Sequence, residues 1–528
     1  MKKVKLLLTL GAASLAIMSV SACNKNADNS IAQKDRLSIV YYPGGYGSEY
    51  LHDFCKAFLS KKLGISASEV TEGKHYKLIP DEDITYGADY YLTSDARCPD
   101  LIISNLLSSN AVTQGFISNL DDVFAAEVET SKGKITIEDF ASPEAIEQYS
   151  FEIRRGQTAK HRFAVPWTAI PLSIAYNDTL LHQIKHSSTA HAVAEDATDA
   201  NGYWNRAPET IEELKAAFDD LDLYNQQHNS NLAKLGWAYN GGTNWFEAFI
   251  TTWWAQKQGV DEEYLYSGEG SFYDFWKYDS PEIFKQTGLQ DALGAIQDLL
   301  IADGKYVNSY ESVGSMTIKN AQQAFAEGKA LFCLTGDFFE QEYAPFINES
   351  KQNFKLMRVP AIENALKNGD GTTKKLTYLN ISSCAYVPAK AVNKDLAKDF
   401  LKFTSSEANL VEFTKKTGGI RPFNYDVREL AKDYNFSDFK KSVFDLYYDA
   451  DDYLYKFPRN IAVEDISPIY LYESVSESIF VGADYGTIIS SLKTMTPKQI
   501  MIDGTASFAS IYERATKAFN EWKRIYNL

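Results

Sequence analysis

Alternation of strand-like and helix-like segments is the feature of this sequence that most constrains its fold. Arg36–Tyr42 is an apolar run of strand composition, Pro43–Gly47 is typical of a turn, and Ser48–Leu63 carries apolar residues at helical spacing. The same order recurs along the chain, and no internal repeat is evident. Strands that alternate with helices indicate α/β units. Because ligands of open α/β sheets gather at the carboxyl ends of strands, the loops at those ends are the first candidates for a site.

The length of the chain, 528 residues, is too great for one ordinary hydrophobic core, so two or more lobes are expected. The segment Phe163–Leu181 indicates where the chain passes between lobes. Its two apolar runs flank Pro166, Trp167 and Pro171, and proline favours extended geometry in the residue before it. We predict extended chain, a bend, and then a strand that leads into a helix starting at Asn177–Asp178.

The composition is that of a globular protein, with 45% hydrophobic and 23% charged residues. Its 53 basic and 70 acidic residues give a net charge of −17. This balance argues against nucleic acid or anionic lipid as the main partner, but it does not identify a ligand.

The N-terminus has the pattern of an export signal. Three lysines within residues 2–5 precede the apolar run Leu6–Val20, which is shorter than the roughly 20 apolar residues of a membrane span. Val20-Ser21-Ala22-Cys23 resembles a bacterial lipobox, although that motif prefers leucine where Val20 stands. The resemblance implies a signal peptide over 1–23, a lipid on Cys23, a flexible tether over 24–35 and a body on the outer face of the membrane. An ordinary signal peptide with a chance cysteine is the alternative.

Metal and disulfide chemistry finds little support in the sequence, and no cofactor is expected. The other four cysteines form no CxxC pair, so buried free thiols are favoured over disulfides. They are Cys55, Cys98, Cys333 and Cys384. Three histidines fall in a stretch of low complexity, 182–205, for which an exposed, solvated loop is favoured over a metal site. They are His182, His186 and His191.

Several stretches in register carry a resemblance to a known family. Behind the lipobox they are Ile39–Tyr46, Pro99–Ile102, Val165–Leu181, Ala324–Ala330 followed by Gly336–Phe338, and Ala397–Phe403 leading to Thr417–Pro422. In this order they resemble the extracellular solute-binding proteins of ABC importers, in particular the carbohydrate-binding group that includes maltose-binding proteins. Two departures are the apparent insertion at 182–205 and a longer, more aromatic region after Phe423, where the pattern from Val427 onward is helical.

The resemblance implies two α/β lobes joined by crossing segments, with a ligand trapped between them by hinge closure. The crossings would fall near Ala164–Pro171 and Leu376–Ser383. Lobe 1 would comprise 36–165 plus 378–425, and lobe 2 would comprise 166–377 plus 426–528.

The same resemblance implies a receptor that captures a carbohydrate, an oligosaccharide being favoured, and delivers it to an ABC permease as a lipid-anchored monomer without catalysis. Sugar rings stack their C–H faces on aromatic side chains, and their hydroxyls need fixed polar partners. The candidate ligand contacts are Tyr42, Tyr46, Trp167, Trp237, Tyr239, Trp245, Asp337, Phe338 and Arg421. For any single one, ordinary packing is the alternative.

Two rival functions remain open. A surface glycoside-active enzyme lacks support from any GxSxG, HExxH or Cys/His signature. A binding lipoprotein for a peptide, a polyamine or a metal is the other rival, and a cationic ligand would suit the acidic charge.

Overall fold

The computed structural model describes residues 33–105, 107–151, 159–236, 247–260, 270–274, 280–301, 317–381, 383–455 and 485–526. The strands of this part are β1 (Leu37–Tyr41), β2 (Tyr76–Pro80), β3 (Leu101–Ser104), β4 (Glu127–Thr130), β5 (Gly133–Thr136), β6 (Ser150–Phe151), β7 (His161–Arg162), β8 (Val165–Pro166), β9 (Ile170–Pro171), β10 (Ser173–Asn177), β11 (Ala233–Gly236), β12 (Ala330–Thr335), β13 (Phe354–Met357), β14 (Leu376–Asn380), β15 (Cys384–Tyr386) and β16 (Asp452–Tyr455).

The α-helices of the same ranges are α1 (Glu49–Leu63), α2 (Asp89–Leu92), α3 (Ser109–Thr113), α4 (Asp121–Phe124), α5 (Ile137–Phe140), α6 (Pro143–Gln148), α7 (Asp178–Leu181), α8 (Ile211–His228), α9 (Glu247–Gln258), α10 (Thr287–Ile296), α11 (Ile318–Ala326), α12 (Phe339–Glu342), α13 (Ala344–Ser350), α14 (Lys394–Thr404), α15 (Glu407–Thr417), α16 (Val427–Leu430), α17 (Asp438–Tyr448), α18 (Tyr485–Ser491) and α19 (Ile511–Tyr526). None of these helices has the length and apolar character that crossing a membrane requires.

The first sheet has the strand order β2-β1-β3-β15-β8. Strand β1 runs parallel to both of its neighbours and is buried along its whole length, as expected for a strand covered on both faces. The buried carboxylate of Asp100, just before β3, accepts hydrogen bonds from the Ser38 backbone N–H and hydroxyl at 2.9 and 2.7 Å. Together with helix α1, which packs its apolar face inward, these elements confirm the α/β unit predicted at the start of the chain.

The second sheet has the order β11-β12-β10-β13. Strand β12 is parallel to β11 and antiparallel to β10, and all six of its residues are buried. Two hydrophobic clusters fill the molecule. One is built around the first sheet and also includes residues of the second sheet, such as Phe354. The other lies among α8, α9 and α10 and includes further residues of the same second-sheet strands, such as Met357.

Both predicted crossing segments run between the two sheets, and they pair with each other. Strand β8 belongs to the first sheet and β10 to the second, while β9 between them pairs antiparallel with β14 through Leu379 opposite Pro171 and Asn380 opposite Ile170. Strand β14 then leads into β15 of the first sheet. We call the sheet of order β16-β14-β9 the hinge sheet. The helix predicted to begin at Asn177–Asp178 is α7, capped by the Asn177 side chain.

Strand β16 corrects the expectation of purely helical structure after Val427. Its four residues, Asp452–Tyr455, pair in parallel with Leu376–Leu379 of β14. A partner about 75 positions earlier in the sequence decides this conformation, and local periodicity carries no sign of it. The lobe boundaries proposed above stay a prediction.

The insertion at 182–205 is a mostly exposed loop, as predicted, and hydrogen bonds also tie it to helix α8. Asp220 of α8 is buried and accepts hydrogen bonds from the indole N–H of Trp204 at 3.0 Å and from two backbone N–H groups of the loop. His186 Nδ1 lies 2.8 Å from the same carboxylate, and His191 Nδ1 lies 2.9 Å from Glu212. Among the residues described, no group of three or more side chains suited to a metal ion occurs.

The four cysteines of the body are buried and unpaired, as predicted. Burial raises the pKa of every one of these thiols above its ordinary value, which keeps them in the unreactive protonated form.

Candidate functional site

The loop that follows β1 meets the loop that follows β12, so the carboxyl ends of strands from the two sheets face each other. The Tyr46 hydroxyl donates a hydrogen bond to Asp337 Oδ1 at 2.6 Å. The neighbouring residues also touch, because a Cβ atom added at Gly45 would lie 3.3 Å from Phe338 Cβ. We call this place the interlobe contact, and its core residues are Gly45, Tyr46, Asp337 and Phe338.

Two glycines permit the close approach. A Cβ atom at Gly336 would lie 2.7 Å from Ile170 Cγ2 and 2.9 Å from the Phe338 ring, so the turn before Asp337 packs directly on the first crossing. A Cβ atom at Gly419 would lie 2.5 Å from the Tyr46 ring. The sequence showed the Gly418-Gly419 pair as a loop, but it gave no sign that a tyrosine packs on the second glycine.

Aromatic packing fixes the position of Tyr46. Its ring makes an edge contact with Phe413 of α15, with ring centres 5.7 Å apart. Phe413 also contacts Tyr50 of α1 at 5.0 Å. The hydroxyl that reaches Asp337 is therefore held by helices that pack on the first sheet.

Asp337 is the electrostatically unusual group of the contact. It is 2% exposed, and burial raises the pKa of its carboxyl to about 7, although the Tyr46 hydroxyl and nearby backbone N–H groups favour the charged form. Its second oxygen, Oδ2, is buried and has no hydrogen-bond partner in the described part of the chain. The pKa of Tyr46 is also raised well above its ordinary value, chiefly by burial and then by Asp337.

Asp337→Asn is expected to change how stability depends on pH. The folded carboxyl has a pKa of about 7 and an unfolded one about 3.9, so between these values the folded chain holds a proton that the unfolded chain has lost. Stability from this group is therefore fully present below about pH 4 and is lost as the pH rises through 7. Asparagine cannot ionise, so the unfolding free energy of the variant relative to the wild type should rise by roughly 2–4 kcal/mol from pH 4 to pH 8.

Urea unfolding at both pH values measures this difference. Glu349→Gln removes one exposed carboxylate from the neighbouring helix α13 and provides the control. A difference between Asp337→Asn and the wild type that does not change with pH would contradict a buried carboxyl that holds its proton.

Arg421 is buried beside the first crossing and is 0% exposed. Its Nε donates to the Trp167 carbonyl oxygen at 3.1 Å and its Nη2 to the Pro166 carbonyl oxygen at 3.3 Å. Its Nη1 donates to the Thr404 carbonyl oxygen at 2.6 Å. Burial lowers the pKa of the guanidinium to about 10, so it keeps its charge at neutral pH. The Arg421 guanidinium, which was predicted to bind a ligand, donates its hydrogen bonds to backbone carbonyl groups in this structure.

Trp167 lies against this guanidinium, whose central carbon is 4.1 Å from the centre of its ring. The indole N–H donates to the Tyr50 hydroxyl at 3.1 Å, and the side chain is 1% exposed. In this arrangement Trp167 faces protein on every side. A direct contact of Trp167 or Arg421 with a ligand stays a prediction.

The other predicted site residues divide into two groups. Tyr42 is half-buried with its ring beside Gly44, and Phe338 is 8% exposed. Both lie at or next to the interlobe contact. Trp237, Tyr239, Trp245 and Cys23 fall outside the described residues.

Sequence reasoning missed three participants in this region. Tyr50 and Phe413 support Trp167 and Tyr46, and they were hidden because helical spacing marks both only as core residues. Thr168 lies within the first crossing, 1% exposed, and its hydroxyl has no hydrogen-bond partner in the part of the chain described.

A groove of about 980 Å³ lies elsewhere, along edge strand β13, the start of α8 and helix α17. Several basic side chains line it, and some of them are paired with carboxylates. Arg206 lies 2.9 Å from Glu213, and Lys355 lies 3.0 Å from Asp178. The interlobe contact is the better candidate, since it holds a buried carboxylate oxygen, Asp337 Oδ2, that has no hydrogen-bond partner among the described residues.

Comparison with known proteins defines the class. A family model described as bacterial extracellular solute-binding protein matches residues 102–438. The chain belongs to this family, and its place of action is accordingly extracytoplasmic. Comparison with curated proteins gives no significant match.

Among solved structures, the GacH receptor of Streptomyces glaucescens GLA.O is similar to this chain. The TM-score is 0.55 at 15% sequence identity, and the match covers 93% of this chain and 99% of GacH. That receptor was solved unliganded and in complex with acarbose and an acarbose homolog. The likeness confirms the predicted two-lobe α/β fold of a periplasmic binding protein.

Proposed function

We propose that the protein captures a carbohydrate between its lobes and delivers it to the membrane subunits of an ABC importer. The observation that carries the proposal is the interlobe contact, where polar and aromatic groups from both lobes converge. Asp337 offers a buried hydrogen-bond acceptor beside Tyr46 and Phe338, and Tyr42 lies in the same loop as Tyr46. This pairing of fixed polar groups with aromatic faces suits a sugar ring.

The family and the likeness to GacH support the proposal, because GacH has the same fold and was solved with acarbose. We further propose that the protein acts as a monomer without catalysis, and that a lipid on Cys23 holds it at the outer face of the cell membrane. Mass spectrometry of the mature N-terminus tests the lipid directly.

A bound sugar is expected to raise the melting temperature, because it binds the folded state and not the unfolded chain. At a ligand concentration 100 times the Kd the gain is about 2.7 kcal/mol, which corresponds to a rise of a few degrees in a chain of this size. A thermal-shift screen with mono- and oligosaccharides of different linkages measures it.

A sugar alcohol of similar mass controls for general solvent effects, and calorimetry on each hit establishes the stoichiometry. If no sugar in a broad panel shifts the melting temperature, the carbohydrate function is wrong. A rise in melting temperature with peptides or polyamines but with no sugar would show that the protein belongs to one of the rival classes of binding protein.

A further inference from the structure

Asp337 Oδ2 is one of the buried side-chain atoms that have no hydrogen-bond partner in the described part of the chain, and it belongs to an ionisable group. Buried polar atoms in proteins nearly always have a hydrogen-bond partner, and a buried carboxylate without one is costly. Asp337 Oδ1 receives the Tyr46 hydroxyl, whereas Oδ2 receives no hydrogen bond from the described chain. Either protonation state leaves Oδ2 incomplete, because a charged oxygen lacks a donor and a protonated one lacks an acceptor.

The surroundings of this carboxyl contain no matching positive charge within the described ranges. The groups that face it are the hydroxyls of Tyr46 and Tyr425 and the backbone N–H groups around Phe338 and Ile420. Arg421 lies near Tyr425, but its guanidinium donates to three backbone carbonyls and makes no ion pair with Asp337. The Asp337 carboxylate therefore has no positively charged partner within the described part of the chain.

Access to Oδ2 is linked to the movement of the lobes. The hydrogen bond between Tyr46 and Asp337 joins loops that belong to different sheets. Under the proposed function, an opening of the cleft would separate these loops and expose the carboxylate, and closure would bury it again together with the bound ligand. A ligand that supplies a positive charge at this point removes the cost of burial on closure.

We infer that the ligand of this site carries a protonated amine that pairs with Asp337 Oδ2, so that the sugar is an amino sugar. The inference rests on the proposed carbohydrate function and narrows it to a substrate class. The net charge of −17 also favours the approach of a cationic ligand. The ring of Phe338, on the residue next to Asp337, gives such a cation an aromatic neighbour.

The test compares matched oligosaccharides that differ in one group. Di- to tetrasaccharides of glucosamine, N-acetylglucosamine and glucose are titrated calorimetrically into the purified full chain at pH 7, where the glucosamine amine is largely protonated, with spermidine as an amine that is not a sugar. The amine series is expected to bind at least tenfold more tightly than both neutral series, with an affinity that weakens as salt is added.

Asp337→Asn should abolish the preference for the amine, and the charge-matched control Glu349→Gln should retain it. The melting temperature of each variant confirms that it is folded at the pH of the titration. Equal or tighter binding of neutral sugars, or an amine preference that survives Asp337→Asn, overturns the inference and leaves the carbohydrate function standing. Binding of spermidine alone, or of no probe, overturns both.

Discussion

Arg421→Ala is expected to lower the unfolding free energy by about 3–5 kcal/mol. The guanidinium is fully buried and donates to carbonyl oxygens of Pro166, Trp167 and Thr404. Alanine leaves these three acceptors buried without a donor and opens a cavity against the face of Trp167. Urea unfolding of wild type and variant measures the loss.

Arg428→Ala is the matched control, seven residues further along. Arg428 is partly exposed and pairs with Asp426 and Asp449 at the surface, so its loss should cost no more than about 1 kcal/mol. Arg421→Lys keeps the charge but has no planar fork, and it should fall between the two alanine variants. Equal losses for Arg421→Ala and Arg428→Ala would show that the buried hydrogen bonds do not hold the crossing together.

Trp167→Ala is expected to cost about 3–5 kcal/mol of stability, as large aromatic side chains do when they are removed from a core. The side chain is 1% exposed, lies on Arg421 and donates to the Tyr50 hydroxyl. Trp167→Phe keeps most of the ring and loses the N–H donor, so a loss of about 1 kcal/mol is expected. Chemical unfolding gives both values.

Sugar titration of the same variants separates packing from ligand contact. If Trp167→Ala weakens sugar binding while the unfolding free energy stays at the wild-type value, then Trp167 is a ligand contact and its burial here does not describe its role. Loss of stability with unchanged affinity in the Trp167→Phe variant would establish a packing role.

Structural features that depend on residues close together in the sequence could be predicted. The run of residues 36–63 specifies a strand, a turn and a helix through local composition and spacing, and the structure places them there. The crossing at 164–171 was readable because two prolines restrict the backbone and a capping asparagine follows. The buried state of the four free cysteines followed from their wide spacing.

Features that depend on distant partners could not be predicted. Tyr46 and Asp337 are separated by 291 positions, and Arg421 and Trp167 by 254. The pattern of residue types can identify such side chains as candidate site residues. It cannot predict which of them touch, because those contacts depend on how the two sheets pack. Strand β16 was missed for the same reason, since its hydrogen bonds are made to β14.

The hinge sheet has a mechanical consequence. Two separate linkers between rigid bodies permit bending, twisting and sliding. Strands β9 and β14 are instead hydrogen-bonded to each other, and β16 extends the same ladder on the far side of β14. Any rotation of one lobe must flex these strands together, because sliding one past its neighbour breaks the ladder. We therefore expect the three strands to bend as one unit, which would restrict opening and closing of the lobes to one axis.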